Sequence, residues 1–473
     1  MGPWFQSGRR NRLPHQGYTD PSMQSRPLVL ALVAASLPLA AQEAFDLERK
    51  LSDKIAATLK ESGAPSASIA VVKDGKLAFV KAFGAATAET RYAVGSISKQ
   101  FTAAALLLLQ EQHKLSLDDK VSKYFPAMTR AGEVTIRQLL AHTSGYRDFA
   151  PQDYIIPAWT HPTTPQMVLD EWARKPLDFD PGTKWQYSNT NYVLAAEIFE
   201  KASGQSLLGF LKDRIFTPLK MESAADCAVS FPHDAEGYTR YACGPPRRVQ
   251  REAAGWYFGA GELCMTPNDV ALWDIAFLRK EILLAGSYGE FTREVTLNNG
   301  DNTHYALGLS LGEFNRIPTV SHGGEVSGFL ASNTVYPTRN AAIVVLTNED
   351  GIGLTGPLTT QIATILLLPD EPAPATENDT AQVRSILDSF AKGKLDRALF
   401  TGNANSYFSA QALADIRQSL VPVGKLQSLT RTSESLRGGM THRAYRAVFQ
   451  KKTVSLNIYL MPDGKYEQFL IVE

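Results

Sequence analysis

A serine stands three residues ahead of a lysine in Ser96-Ile97-Ser98-Lys99, at the start of a long apolar helical run. On a helix that spacing puts a hydroxyl and an amine on one face. The helix N-terminus adds N–H groups and a positive dipole end that favour a developing oxyanion. A serine needs an adjacent base to become a nucleophile at neutral pH, so Ser96 with Lys99 points to acyl transfer through a covalent serine intermediate. The motif alone is cheap, because Ser389-Phe390-Ala391-Lys392 repeats it without supporting context. Two further groups give it weight. Tyr187-Ser188-Asn189, the only Tyr-x-Asn in the chain, offers a hydroxyl to shuttle the serine proton and an amide to orient substrate. A tyrosine holds its proton to near pH 10 and needs a cationic neighbour such as Lys99 to act as a base. His322-Gly323-Gly324 closes a strand pattern, and its glycines let a substrate lie against the strand edge. The N–H of Glu325, just beyond, could join that of Ser96 as an oxyanion hole.

These groups need a scaffold. Leu47, Leu51, Ile55 and Leu59 recur every fourth residue before Gly63, which predicts an amphipathic helix over 45–62. Ser68–Val72 and Leu77–Val80 flank Asp74-Gly75, a hairpin signal. The apolar run Phe101–Leu109, rich in alanine, predicts a helix buried on all sides. Helical patterns fill the chain to about Met221, including one over Tyr192–Lys201, and 227–256 reads as irregular. Thr266, with Asp269 three residues on, is a helix N-cap signature. Strand patterns return at Tyr305–Leu311, Thr319–Ser321, Ser332–Tyr336 and Ala341–Leu346, before a helix over Leu358–Leu368. The fold class is therefore α+β: one antiparallel sheet made from both ends of residues 46–368, flanked by helices, with an all-α subdomain inserted. Pro- and Ala-rich 369–375 reads as a linker, and 376–473 as a small α+β domain with helices at Val383–Phe390 and Ala410–Leu420 and strands at Tyr445–Phe449, Val454–Leu460 and Gln468–Val472.

Composition narrows the function classes. Lys plus Arg and Asp plus Glu both total 48, so the basic footprint of a nucleic-acid binder is missing. The chain carries no Walker A loop, no His-Glu-x-x-His and no Gly-x-Ser-x-Gly. Gly259-Ala260-Gly261 has Cys264 where a dinucleotide fingerprint needs its third glycine. Neither a metal nor a cofactor is expected. Arg26 precedes the apolar run Leu28–Ala41, which reads as a signal peptide cleaved after Ala41, with Met23 as the start. Residues 1–41 are thus a targeting segment, too short and too broken by Pro38 for a stable membrane span, and the protein is expected to be periplasmic or secreted. Export permits disulfides. A bridge between Cys227 and Cys243 is the expected one, leaving Cys264 as a buried free thiol between Leu263 and Met265.

Taken in order, Ser96-x-x-Lys99, Tyr187-x-Asn189 and His322-Gly323-Gly324 resemble the serine β-lactamase and penicillin-binding-protein superfamily. The likeness is to its class C β-lactamase-related branch of D,D-carboxypeptidases, D-amino-acid amidases and aminopeptidases, and family VIII esterases. Leu140-Ala141-His142-Thr143-Ser144-Gly145 and Gly259-Ala260-Gly261 look like framework elements, with His142 structural. The resemblance implies Ser96 as acylated nucleophile, Lys99 as base or relay and Tyr187 as general base or acid. Asn189, His322, Gly323, Gly324 and Glu325 would bind a small ester, amide or peptide substrate. Members of this superfamily typically present Lys-Thr-Gly on the strand where this chain has His322, and a histidine is largely neutral near pH 7. Losing a charge-assisted contact of about 1.5–3 kcal/mol weakens carboxylate recognition by roughly one to two decades. An esterase, amidase or peptidase is therefore expected, with a class C-like β-lactamase and a non-catalytic cell-wall sensor as the alternatives. The C-terminal domain resembles nuclear-transport-factor-2-like domains.

Overall fold

The computed structural model describes residues 39–152, 154–240, 245–368, 377–437 and 440–472. The chain divides after Glu43, and Ala44–Glu473 form one compact unit. Helix α1 (Leu39–Ser62) ends where Gly63 takes φ +67°, and Gly63 N–H bonds Leu59 O. Strands β1 (Ser66–Lys73) and β2 (Lys76–Gly84) follow. Asp74 and Gly75 between them both have positive φ, the backbone a tight hairpin turn requires. After β3 (Tyr92–Ala93) comes α2 (Ser98–Glu111), whose residues from Ser98 to Leu109 are all buried.

The inserted region carries α3 (Ile136–Leu140), α4 (Pro165–Trp172), α5 (Asn189–Ser203) and α6 (Leu207–Leu211). The two-residue strand β4 (Ala225–Asp226) stands just ahead of the irregular stretch, and β5 (Tyr238–Thr239) and β6 (Arg247–Arg248) lie within it. β7 (Leu263–Met265), α7 (Pro267–Arg279) and α8 (Ala285–Phe291) complete it. The insert is thus mostly helical, with two additions to the expected pattern: β3, β7 and β4 form a short sheet, and β5 pairs with β6. Thr266 caps α7 by accepting Asp269 N–H, as its sequence predicts. Asp269 turns instead to Ser223, accepting from its N–H and hydroxyl.

The chain then returns through β8 (Ser310–Phe314), β9 (Ile317–Val326), β10 (Phe329–Tyr336), β11 (Ala341–Thr347) and α9 (Thr355–Leu367). Among the described residues the main sheet runs β2-β1-β11-β10-β9-β8, antiparallel throughout. Its first and last segments meet at its centre, where Ala70 pairs with Val344. Alternation sorts their side chains. Ile69, Val71, Ile343 and Val345 pack with Leu51, Ile55 and Ile362 of α1 and α9, while Ala70, Val72, Val344 and Leu346 join the α2 core on the other face. A strand was expected over Tyr305–Leu311, but β8 starts only at Ser310. Tyr305, Leu307 and Leu309 are buried in a turn closed by Ala306 N–H to Leu309 O, so their alternation marks core contact and not strand.

The expected linker lies outside the described residues. The C-terminal part holds α10 (Glu377–Ala391), α11 (Gly402–Tyr407), α12 (Ala410–Leu420), β12 (Leu426–Arg437), β13 (Met440–Phe449), β14 (Thr453–Leu460) and β15 (Tyr466–Val472). Its strands pair in chain order around a core of their own that includes Phe390, Phe400, Tyr445 and Leu456.

The disulfide differs from expectation. Cys227 is bonded to Cys264, and Cys243 lies outside the described residues. β4 pairs with β7 so that Ala225 faces Cys264, which brings Cys227 within a Cα separation of 4.9 Å. Cys264 is buried as expected, but it is not free. Closing a separation of 37 residues constrains the unfolded chain by about 3–4 kcal/mol. The double variant Cys227→Ser, Cys264→Ser is expected to lose stability of that order in urea unfolding, with a raised m-value because the unfolded chain is freed to expose more surface.

Candidate active site

Ser96 sits in a 3-10 turn, Gly95–Ile97, one step before α2 and not on its first turn as the spacing suggested. Lys99 is on that first turn, and the three-residue interval still sets its Nζ 2.9 Å from Ser96 Oγ. Gly95 enters the turn at φ +51°. A Cβ there would meet Glu325 N at 2.7 Å, and one on Gly324 would meet Val94 O at 1.9 Å and Ser96 N at 3.3 Å. The β9 backbone therefore rests directly on the nucleophile turn. Only glycine allows that approach, and it brings the N–H of Glu325 beside that of Ser96.

Lys99 is fully buried. Its Nζ also donates to Asn189 Oδ1 at 2.8 Å and to Ala260 O at 2.8 Å. Neither of these oxygens can donate in return. A neutral amine thus spends both its N–H groups on them and turns its lone pair toward Ser96 Oγ. Burial lowers the Lys99 pKa to about 7, with the charges of Asp148 and Glu262 opposing the shift. The amine is therefore available as a base near neutrality.

Asn189 opens α5. Its N–H bonds Asp148 Oδ1 at 2.8 Å and its Nδ2 approaches Asp148 Oδ2 at 3.4 Å, which holds the amide with its oxygen toward Lys99. The Tyr187 ring lies 4.9 Å from Lys99 Nζ and borders the same cavity as Ser96, and burial, with the Asp148 charge adding to it, pushes its pKa well above the ordinary tyrosine value. It keeps its proton at neutral pH. Behind it His142 stacks on its ring at 4.3 Å between centroids and accepts Ser188 N–H at Nδ1 at 3.2 Å. Burial holds His142 neutral, and its contacts are those of a residue that places Tyr187.

His322 lies on β9 with Nδ1 2.5 Å from Gly323 O and Nε2 2.8 Å from Tyr305 Oη. The carbonyl can only accept, so Nδ1 carries the hydrogen and Nε2 accepts from the tyrosine. Burial first, and the Lys99 charge second, lower its pKa to about 4. His322 is neutral and offers no cation to a substrate.

Ser96, Tyr187, Asn189, His322, Gly323, Gly324 and Glu325 all border one cavity of about 790 Å3, and Lys99 lies buried behind Ser96. Every expected site residue is thus gathered at one place. Ser389, of the chance repeat, sits at the end of α10 in the C-terminal core region, its carbonyl taking Lys392 and Lys394 N–H. Asp148, Glu252, Trp159, Trp185 and Tyr257 also line the cavity and were not singled out from sequence. Each is a single residue in a loop or short turn, with no motif to mark it. Among the described residues no group of three His, Cys, Asp or Glu side chains could hold a metal ion, and no helix is long and apolar enough to cross a membrane.

Residues 51–365 match the Beta-lactamase family. The chain is 29% identical over 334 residues to penicillin-binding protein 4* of Bacillus subtilis, spanning 64% of this chain and 72% of that protein. It is 27% identical over 311 residues to a D-aminopeptidase of Brucella anthropi, across 61% of this chain and little more than half, 56%, of that enzyme. Its fold is similar to that of a D-stereospecific amidohydrolase from Streptomyces, with a TM-score of 0.59, 24% identity, 68% of this chain and 98% of the other covered. It is also similar to the octameric penicillin-binding protein homologue from Pyrococcus abyssi, with a TM-score of 0.60, 20% identity, 90% of this chain and 99% of the other covered.

Proposed function

Because this chain belongs to the Beta-lactamase family, we propose that it is a serine hydrolase working through an acyl-enzyme on a small ester, amide or peptide. The observation that carries this is the Lys99 amine, buried, held by two acceptors that fix its N–H groups, and 2.9 Å from Ser96 Oγ. Lys99 takes the hydroxyl proton as Oγ attacks the substrate carbonyl. The oxygen of that carbonyl gains negative charge between the N–H groups of Ser96 and Glu325. Tyr187, protonated and lining the cavity beside Ser96, passes its proton to the leaving group and is refilled from the Lys99 ammonium. An attacking water then repeats the sequence in reverse and frees Ser96.

The lining supports an acyl donor without a free carboxylate. Asp148, Glu252 and Glu325 border the cavity, and among the described residues no lysine or arginine does. With His322 neutral, the local field favours neutral or amine-bearing substrates. D-amino-acid amides and short peptides fit that description, and the D-aminopeptidase and the D-stereospecific amidohydrolase to which the chain is similar are named for such chemistry. Export belongs to the same reading, supported by Arg26, the Leu28–Ala41 run and the Cys227–Cys264 bridge, since disulfides persist in oxidising compartments. For residues 376–473 the reading is a separate nuclear-transport-factor-2-like domain, supported by their own core.

A substrate panel tests the assignment. A short-chain p-nitrophenyl ester or a D-amino-acid amide is expected to be hydrolysed with a higher kcat/KM than nitrocefin. A nitrocefin value far above both would overturn the substrate class. Acylation of Ser96 without turnover of any panel member would favour a binding protein.

A further inference from the structure

The edge of β9 gives the cavity a direction. β8 pairs with β9 only as far as Ser321, and the residues beyond it, His322 to Ser327, line the cavity. The Glu325 N–H falls between these two ends, three residues after His322 and two before Ser327. At about 3.3 Å per residue the ends stand roughly 16 Å apart. The Tyr187 ring lies 6.1 Å from that of His322 between centroids, so the proton for the leaving group comes from the His322 end. With the reacting carbonyl at the Glu325 N–H, the acyl part of the substrate points to the Ser327 end.

Glu252 stands at that end. Its Oε1 accepts the Ser327 N–H at 3.1 Å and the Ser327 hydroxyl at 2.8 Å, which fixes a carboxylate of the 227–256 stretch against the turn after β9. Both bonds fall on Oε1, and Oε2 accepts none among the described residues. Arg251, beside it in the chain, is engaged elsewhere, its Nη2 3.8 Å from Cys264 Sγ and its guanidinium 5.4 Å from the centre of the Phe329 ring. Asp148, also on the cavity, has its oxygens committed to the N–H groups of Asn189 and Ala150 and to Asn189 Nδ2. Trp159 and Tyr257, with ring centroids 6.1 Å apart, line the same cavity, and the faces of such rings also favour a cation.

We propose that Glu252 sets substrate choice by taking, on Oε2, the ammonium of an acyl group that carries a free α-amine. Aminoacyl amides and esters with an unblocked amine are then preferred over acyl groups of the same size without one. The inference rests on the reading of Ser96 as nucleophile and Tyr187 as donor to the leaving group, and it names the substrate class of that same site. An α-amine titrates near 7.7–8.0, so it is mostly charged at pH 7 and meets the carboxylate in a charge-assisted hydrogen bond.

The test compares kcat/KM at pH 7 for D-alanine p-nitroanilide and D-lactic acid p-nitroanilide, which puts a hydroxyl of similar size in place of the ammonium. The full chain is used as wild type, Glu252→Gln and Glu325→Gln. Wild type is expected to prefer the amine by about ten- to a hundredfold, and Glu252→Gln to bring that ratio near one. Glutamine keeps an oxygen for Ser327 and removes the charge alone. An equal fall for both anilides in Glu252→Gln would make the residue a mere brace for the turn and overturn the inference. So would a ratio that drops in Glu325→Gln and not in Glu252→Gln, or a wild type with no preference, each leaving acyl transfer in place. A wild type that hydrolyses neither anilide also overturns it, and if a fluorophosphonate then fails to label Ser96, the acyl-transfer reading falls with it.

Discussion

Ser96→Ala is expected to lower kcat/KM for any ester or amide substrate by roughly ten-thousand-fold or more while leaving the protein folded. Nothing in the turn depends on the hydroxyl for its backbone. Gly95 makes the positive-φ step, and Lys99 keeps Asn189 Oδ1 and Ala260 O. What disappears is the atom that forms the covalent bond. The residual rate would come from the Ser96 and Glu325 N–H groups, which still polarise a bound carbonyl. Steady-state kinetics beside a thermal melt checks this. A folded variant that retained more than about a hundredth of the activity would move the nucleophile elsewhere.

Lys99→Met should be nearly as damaging, with kcat/KM down by about a hundred- to ten-thousand-fold, and it carries a second signature. Because burial lowers the Lys99 pKa to about 7, wild-type activity is expected to rise with pH through that value as the ammonium becomes a base. The same depression affects stability. An unfolded lysine titrates near 10.4, so between about pH 7 and that value the unfolded chain binds more protons than the folded one. Wild-type stability therefore gains from this group as pH rises across the window, and below about pH 7 the full cost of burying an ammonium is present. Methionine has no such term. The stability of Lys99→Met relative to wild type is expected to be greater at pH 7 than at about pH 9.5, read from urea unfolding of both proteins. Parallel pH dependences would mean that Lys99 keeps an ordinary pKa, and the case for a neutral amine would fail.

Much of the catalytic layout was legible because it is local. The interval between Ser96 and Lys99 is short enough for helix geometry to fix, whereas Gly95 and Gly324 serve the close approach of β9 to the nucleophile turn, where the sequence suggested only room for a substrate at the strand edge. The hairpin at Asp74-Gly75, the buried helix after Ser96 and the meeting of β1 with β11 follow from turn chemistry and alternation. What escaped depends on contacts between distant segments. Asp148 reads as any loop aspartate until α5 sets the Asn189 N–H on it. Cys264 looks like a buried thiol until β4 pairs with β7 and delivers Cys227. Strand β12 was overlooked because its sequence, Leu-Gln-Ser-Leu-Thr-Arg-Thr-Ser-Glu-Ser-Leu-Arg, is mostly polar, as an edge strand can be. Tyr305 was misread in the opposite sense, since its alternating apolar neighbours line a buried turn.

The central claim is that Ser96 is the residue that becomes acylated. The direct measurement is mass spectrometry of the protein after reaction with a fluorophosphonate, first intact and then as peptides. One adduct is expected, on the peptide that carries Ser96, absent from Ser96→Ala and slowed in Lys99→Met. An adduct of equal yield in Ser96→Ala, or one mapped to another residue, would contradict it.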